Sequence, residues 1–599
     1  MVMQYSDLKP KKPEHIALSF SGGGFLAASY SLGCLSYMES VYAGGKKLTA
    51  LVRFISSASG GSIINLAYTT SQRKGQPFKE FYNHMNQHVL KGTLLLDHVF
   101  KILKSDAYWE ERPDKSRNLD NAFSIAYDEM IFSKETFGIY FKPIENTIEE
   151  VCINTTEFSN CITFRFQNTG LTGNRFLYFK KEPAAFEALK CIKLGDILAC
   201  SLCFPGGLEP FMFPNDFTYP GLAKNAIQSS IKEDIRYSPV KDDNEDGNEL
   251  PVFGIMDGGI DDNQGIDSFI LAEERLEHKN KFGYDLYMVC DVTSNYTDGY
   301  SLPQENKNSL LEKPSFIQYL LLILLSAMVS IAGITTKTYT ELCFSILGIS
   351  AALLLVVFYI STIGFLLYRK SIKTKNTFGI IGIKHIFTFL HLPLSSFIQT
   401  VNSRLTSTVY LASFVFMNKI RRISYDRLFE KITERKIKAD GTQWSHDEDE
   451  SLISAIQLKH WRQFSLQNSI HLLSFKNDYQ RIADLKAEPW YKKNPIVKVN
   501  GETINLIDFM MPSVALQEVA WLATEMKITL WYDQFKQEDK SAPAIVATGQ
   551  FTTCYNLLRY AFRFNSSDPY WLDLQQQLMN DWFKFNQSPL WLYDQLASS

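Results

Sequence analysis

Residues 51–66 read LVRFISSASGGSIINL. The apolar run Val52–Ile55 gives way to small residues, and then to apolar positions at helical spacing. This is the pattern of a strand, a tight turn and a helix. Ser59 stands at the turn, between Ser57 and Gly61. A serine raised on a strand-to-helix turn has the geometry of a nucleophile elbow. Free N–H groups and the positive end of the helix dipole would then face it, where negative charge develops in acyl transfer. The G-x-S-x-G form is not met, because Ser57 occupies the first glycine position, and the chain contains no strict copy of it elsewhere.

The order of elements around this turn predicts an α/β domain. His15–Phe20 reads as a first strand, Ser21–Gly24 as a loop and Phe25–Ser40 as an apolar helix, with the elbow strand next. Strand and helix in alternation imply right-handed βαβ units and a buried, mostly parallel sheet. Residues 75–137 read as a helical insertion. Ile162–Gln167, Phe176–Phe179, Val252–Met256 and Asp285–Cys290 read as further strands, and Phe217–Glu249 as a polar loop.

The character then changes. Phe316–Ile334 is nineteen residues without a formal charge, and Leu342–Tyr368 is twenty-seven. At ~1.5 Å per helical residue each can cross a hydrocarbon core of ~30 Å. Only Thr335–Glu341 separates them, so an antiparallel transmembrane hairpin is expected. Arg369, Lys370, Lys373 and Lys375 follow the second span, whereas the connection carries only Lys337. The positive-inside rule therefore predicts both soluble parts on the cytoplasmic side. Beyond residue 377 the pattern is helical: a segment over Phe378–Leu392 suited to the membrane surface, a long helix over Ser395–Ile432 with Lys419, Arg421, Arg422 and Arg427 near its end, a linker over Asp440–Glu450, and amphipathic aromatic segments over Val514–Tyr532, Phe551–Phe562 and Tyr570–Phe585. The expected division is a catalytic domain over 1–312, a hairpin over 313–376 and a helical domain over 377–599.

At 599 residues and a net charge of −3, nothing suggests broad electrostatic binding to nucleic acid. The nine cysteines hold a single C-x-x-C, Cys200–Cys203, with no second pair to complete a zinc site. Asn154, Asn295 and Asn565 begin N-x-S/T triplets at the frequency expected by chance. The polar start of the chain does not resemble a secretory signal.

Two functions compete for Gly22-Gly23-Gly24. Gly22-x-Gly24-x-x-Ala27 fits a dinucleotide fingerprint. That reading requires an acidic residue at the end of the next strand, where the chain has Ser56-Ser57-Ala58-Ser59. The alternative is an oxyanion hole serving a nucleophile on a neighbouring element, and Ser59 is on the next one. Asp257, at the end of a strand and followed by Gly258-Gly259, is the candidate base. His278 would complete a Ser…Asp…His order, but its charged surroundings, EERLEHKNK, read as a solvated helix face.

SGGGFLA, SASGGS, FQNTGLTGNRFLYF, ACSLCFPGGLEPF and DGGIDDN, in this order over residues 13–295, together resemble the patatin-like phospholipases. The resemblance implies a mostly parallel α/β core with flanking helices and a Ser–Asp dyad without histidine. It places the nucleophile at Ser59, the base at Asp257 and the oxyanion donors at Gly22, Gly23 and Gly24. The sequence departs from the family at Leu26, where an arginine is usual, and at Ser57. The reading that follows is a membrane-attached phospholipase A-type acyl hydrolase of glycerophospholipids, needing no metal or cofactor and acting at a bilayer. A catalytically silent lipid- or protein-binding scaffold and an acyltransferase are the alternatives, and homo-oligomerisation is left open.

Overall fold

Ile16–Phe20 is buried at every residue and forms the first strand, β1, of a seven-stranded sheet. The others are β2 (Val52–Ala58), β3 (Glu150–Glu157), β4 (Ile162–Gln167), β5 (Phe211–Phe213), β6 (Phe253–Asp257) and β7 (Leu286–Cys290). In this computed structural model the described residues are 12–90, 93–142, 148–205, 207–233, 253–279, 284–292, 314–373, 496–499, 501–524, 541–562, 564 and 567–598, with isolated positions between 391 and 492. They fall into two compact units, residues 1–297 with 416–599, and residues 298–415.

In the first unit the sheet order is β7-β1-β2-β3-β6-β5, with β4 also on β3. β7, β1, β2 and β3 are mutually parallel; β4 and β6 run antiparallel to β3, and β5 antiparallel to β6. The register around β3 decides the site. Ala58 pairs with Asn154, and Asp257 with Thr155. Residues 152–154 pair with β2 and β4 at once, and residues 155–157 with β6 and β4 at once. A strand has two edges. β2 and β6 therefore lie end to end on one edge of β3, arriving from opposite directions, and their C-terminal ends meet.

β3 is absent from the strands expected from the sequence. Its residues, EVCINTTE, are largely polar, yet all eight are buried. The expected strand at 162–167 is present with those bounds, and those expected at 176–179, 252–256 and 285–290 are found at 177–179, 253–257 and 286–290, each shifted by one residue at one or both ends. Part of the loop expected over 217–249 is ordered structure: a short helix at Lys224–Ser230 runs into a strand at Ile231–Glu233, which pairs with Leu177–Phe179. The remainder, 234–249, lies outside the described residues. The helical insertion is found at Phe78–His84, Thr93–Lys104, Asp106–Glu110 and Leu119–Met130.

Helix α1 (Gly24–Ser40) is buried from Gly24 to Met38. A helix covered all round needs a partner on each side. Part of that cover comes from the far end of the chain. Within the helical C-terminal region, α1 crosses Ser541–Ala561 so closely that a Cβ at Gly33 would overlap the Val546 carbonyl, and one at Gly549 would overlap the Tyr30 carbonyl. Pro569–Gln587 adds a further layer, through Tyr37 Oη donating to Asp581 (3.3 Å) and Tyr37 against Phe585. The C-terminal region also contains a two-stranded ribbon, Ile496–Val499 with Glu502–Asn505. The expected segments 378–390, 428–432 and 440–450 lie outside the described residues, as do Arg421 and Arg422. Arg427 forms an ion pair with Asp267 at 2.9 Å.

The second unit holds Phe316–Thr335 and Thr340–Lys373. Ser326 and Ser350 hydrogen-bond between these two helices at 2.9 Å, and Gly333 faces Cys343. Leu322, Met328, Val329, Ile349, Leu355 and Phe358 are all exposed. Ile317–Thr335 is long and apolar enough to cross a membrane. Leu506–Ala523 passes the same test of length and composition, but it is interrupted between Met510 and Val514 and is 44% buried in the first unit.

Candidate active site

β2 ends at Ala58, and helix α2 (Gly60–Arg73) begins two residues later. Ser59 makes the turn alone, with φ 48° and ψ −130°. That region is costly for a residue with a Cβ and persists only where the surroundings over-determine it. They do so here from several sides. The start of α2 is pressed on the glycine loop, where a Cβ at Gly60 would overlap the Gly24 carbonyl. Gly23 (φ 140°) and Gly24 (φ 60°) carry the loop through conformations open to glycine. The Ser59 N–H donates to Ser201 Oγ at 3.1 Å.

Ser59 Oγ donates to Asp257 Oδ2 at 2.7 Å. The other carboxylate oxygen, Oδ1, accepts the Gly259 N–H at 2.6 Å, and the Asp257 carbonyl accepts Thr156 Oγ1 at 2.9 Å. Both side chains are buried, with Ser59 6% and Asp257 2% exposed. Burial pushes the Asp257 carboxyl up to about 6, while the bonds from Ser59 and Gly259 pull against that shift. A carboxylate in this range accepts a proton more readily than a solvated one and is still ionised near neutrality.

The glycine loop sits opposite. Gly22 fits between Asn263 and Ser59: a Cβ there would overlap Asn263 Oδ1 and lie 3.0 Å from Ser59 Cβ. Its N–H donates to the Asn263 carbonyl at 2.9 Å. Gly22 is therefore a spacer whose own N–H, expected as one of three oxyanion donors, is engaged by the Asn263 carbonyl. No hydrogen bond among the described residues uses the N–H of Gly23 or Gly24. Leu26, at the position where the family usually has arginine, is buried in the core.

His278 is exposed at the end of helix Ile266–His278, as its charged surroundings predicted. Asn154 is fully buried and is the hub beneath the elbow. Its amide donates to Ser56 Oγ (3.1 Å) and to the Ser57 carbonyl (3.0 Å), and its carbonyl accepts Ser201 Oγ (2.8 Å). Cys200 and Cys203 are also buried, and burial raises both thiols.

Sequence reasoning missed Asn154, Ser201 and Asn263. Ser201 lies in ACSLCFP, on helix α3 (Leu194–Leu202), and Asn263 follows the Asp-Gly turn. Both lie in segments that stand out in the sequence, but their polar side chains gain meaning only from the register that brings them under Ser59. Helix α3 is itself held by a buried ion pair, Lys115 Nζ to Asp196 Oδ1 at 2.7 Å.

No curated protein matches the chain. Residues 18–270 match the family model of the patatin-like phospholipases. This stretch holds the glycine loop, the elbow and Asp257; β7 lies beyond it. The chain thus carries, over residues 18–270, a domain that matches the patatin-like phospholipases, a family of lipid acyl hydrolases.

Proposed function

We propose that this protein is a membrane-anchored serine acyl hydrolase of glycerophospholipids, working through a Ser59–Asp257 dyad. The observation that carries the reading is the 2.7 Å hydrogen bond from Ser59 Oγ to Asp257 Oδ2 at a strained turn before a helix N-terminus. Asp257 takes the Ser59 proton as Oγ attacks an acyl ester carbonyl. The N–H groups of Gly23 and Gly24 stabilise the oxyanion. Collapse of the intermediate expels the lysophospholipid alkoxide, which takes the proton from Asp257. A water then gives its proton to Asp257 and attacks the acyl-enzyme. The fatty acid leaves, and the proton returns to Ser59.

The helices at 316–335 and 340–373 serve in this reading as a bilayer hairpin. Their apolar exposure and Arg369 and Lys370, which follow the apolar run within the second helix, support an orientation with both flanks in the cytoplasm. Anchoring raises the effective substrate concentration at the cleft. Resistance to alkaline carbonate extraction, with protease access to both flanks from the cytoplasmic side, is the expected result; release into the soluble fraction overturns the anchor.

The test of the chemistry is hydrolysis of phosphatidylcholine vesicles by the full-length protein beside Ser59→Ala and Asp257→Asn. Each variant is expected to lose roughly a thousandfold or more in rate. Wild-type rates in both overturn the dyad. Wild-type protein that binds vesicles but does not react with a fluorophosphonate indicates a silent scaffold. Acyl transfer to an added alcohol in preference to water indicates an acyltransferase.

A further inference from the structure

We infer that Ser201 is a positioning residue for the nucleophile, held in a single orientation by a one-way hydroxyl chain running from Asn65 through Ser57 and Ser62. The inference rests on the reading of Ser59 as nucleophile.

Proton accounting fixes the direction of the chain. Ser201 Oγ lies 2.8 Å from the Asn154 carbonyl, which has no proton to give, so the single Ser201 proton points there. Its lone pairs receive the Ser59 N–H at 3.1 Å and the Ser62 hydroxyl at 3.0 Å. With the Ser62 proton committed, Ser57 is the donor in the 3.0 Å Ser57–Ser62 pair. Ser57 in turn accepts from the Asn65 amide at 2.9 Å. That amide is oriented by its second donation, to the Cys152 carbonyl at 3.3 Å. Each hydroxyl donates once, and reversing any link leaves two protons or none between a pair of oxygens. Asn65, Ser57, Ser62, Ser201 and Asn154 are all fully buried, so water does not compete.

The chain ends on the one backbone donor of the strained residue. Ser201 gives the Ser59 N–H an acceptor at φ 48°, which holds the Cα–Cβ bond of Ser59 toward Asp257. Ser201 has no exposed surface and cannot touch substrate. Its effect falls on turnover and not on binding. Ser57 also acquires a role. It occupies the first glycine position of the elbow pattern, and its hydroxyl links α2 to the strand beneath the nucleophile.

The experiment uses full-length protein in detergent micelles, with a p-nitrophenyl acyl ester as substrate and a fluorophosphonate as active-site label. Ser201→Ala is expected to lower kcat about tenfold, because a buried donor loses its acceptor. KM stays within twofold, labelling slows by the same factor as kcat, and the acid limb of the pH profile stays in place. Ser201→Cys, which keeps a weak acceptor of similar size, is expected to recover part of the loss. Ser62→Ala, which loosens the chain one link away, is expected to cost about threefold. Turnover of Ser201→Ala within twofold of wild type, beside an inert Ser59→Ala, overturns the inference and leaves the dyad standing. Should Ser201→Ala not fold, wild-type turnover in both Ser201→Cys and Ser62→Ala overturns it. Wild-type turnover in Ser59→Ala overturns the dyad reading itself.

Discussion

Ala58 and Asp257 close two strands that meet head to head on one edge of β3, opposite the adjacent residues Asn154 and Thr155. Ser59 is the residue after Ala58, and Asp257 is the last residue of its own strand. Neither side chain has to reach far. The 2.7 Å contact is set by strand register, the most rigid spacing in an α/β sheet.

Activity should depend on pH through Asp257. The carboxyl titrates at about 6 and must be ionised to take the Ser59 proton. We expect kcat/KM to be flat above about pH 7 and to fall tenfold per unit below about 6. A profile flat down to pH 4.5 would mean that another group is the base.

The same burial costs stability. In the unfolded chain the carboxyl ionises near 3.9. In the fold it ionises at about 6. As pH rises from 4 to 6 the unfolded chain gives up its proton first, so stability falls over that window and stays lower above it, by roughly 2–3 kcal/mol. Asp257→Asn is therefore expected to melt higher than wild type at pH 8 and to coincide with it near pH 4. Melting curves at the two pH values check this.

Gly60→Ala should be among the most damaging single-methyl changes in the domain, because its Cβ would meet the Gly24 carbonyl and not a side chain that can swing away. We expect about 2–3 kcal/mol of destabilisation. Activity should fall at least a hundredfold, because the clash separates the elbow from the glycine loop. Ester turnover and chemical denaturation measure the two effects.

At the other end of α1, Gly549→Leu should separate the helices that touch at Gly33 and Gly549. A destabilisation of about 3 kcal/mol or more is expected. The loss should be global, since α1 is buried from Gly24 to Met38 and also packs against α2. A cooperative melt shifted downward supports this; an unchanged melt rules out the close crossing.

Much of the site was legible because its backbone demands are written in small residues. Ser21–Gly24 and Ser56–Gly61 are conspicuous between apolar runs, and Asp257-Gly258-Gly259 follows a plain strand. The failure at β3 has a physical cause. EVCINTTE lacks the alternation of a half-exposed strand and the apolar run of a buried one, because its Asn and Thr side chains are spent on hydrogen bonds to neighbouring strands and loops. Burial of polar groups is a property of their partners, and those partners are distant in sequence. For the same reason Ser201 could be located in a motif but not given a role. The crossing at Gly549 was equally hidden, since it joins residues some five hundred positions apart.

That crossing has a bearing on biosynthesis. Helix α1 is translated some five hundred residues before its covering helix, with the two long apolar helices between them. A ribosome releases the elbow, the glycine loop and Asp257 long before residues 541–561 exist. Until then the flank of α1 around Gly33 is bare. Packing of the first unit therefore waits on a helix made some five hundred residues after the one it covers.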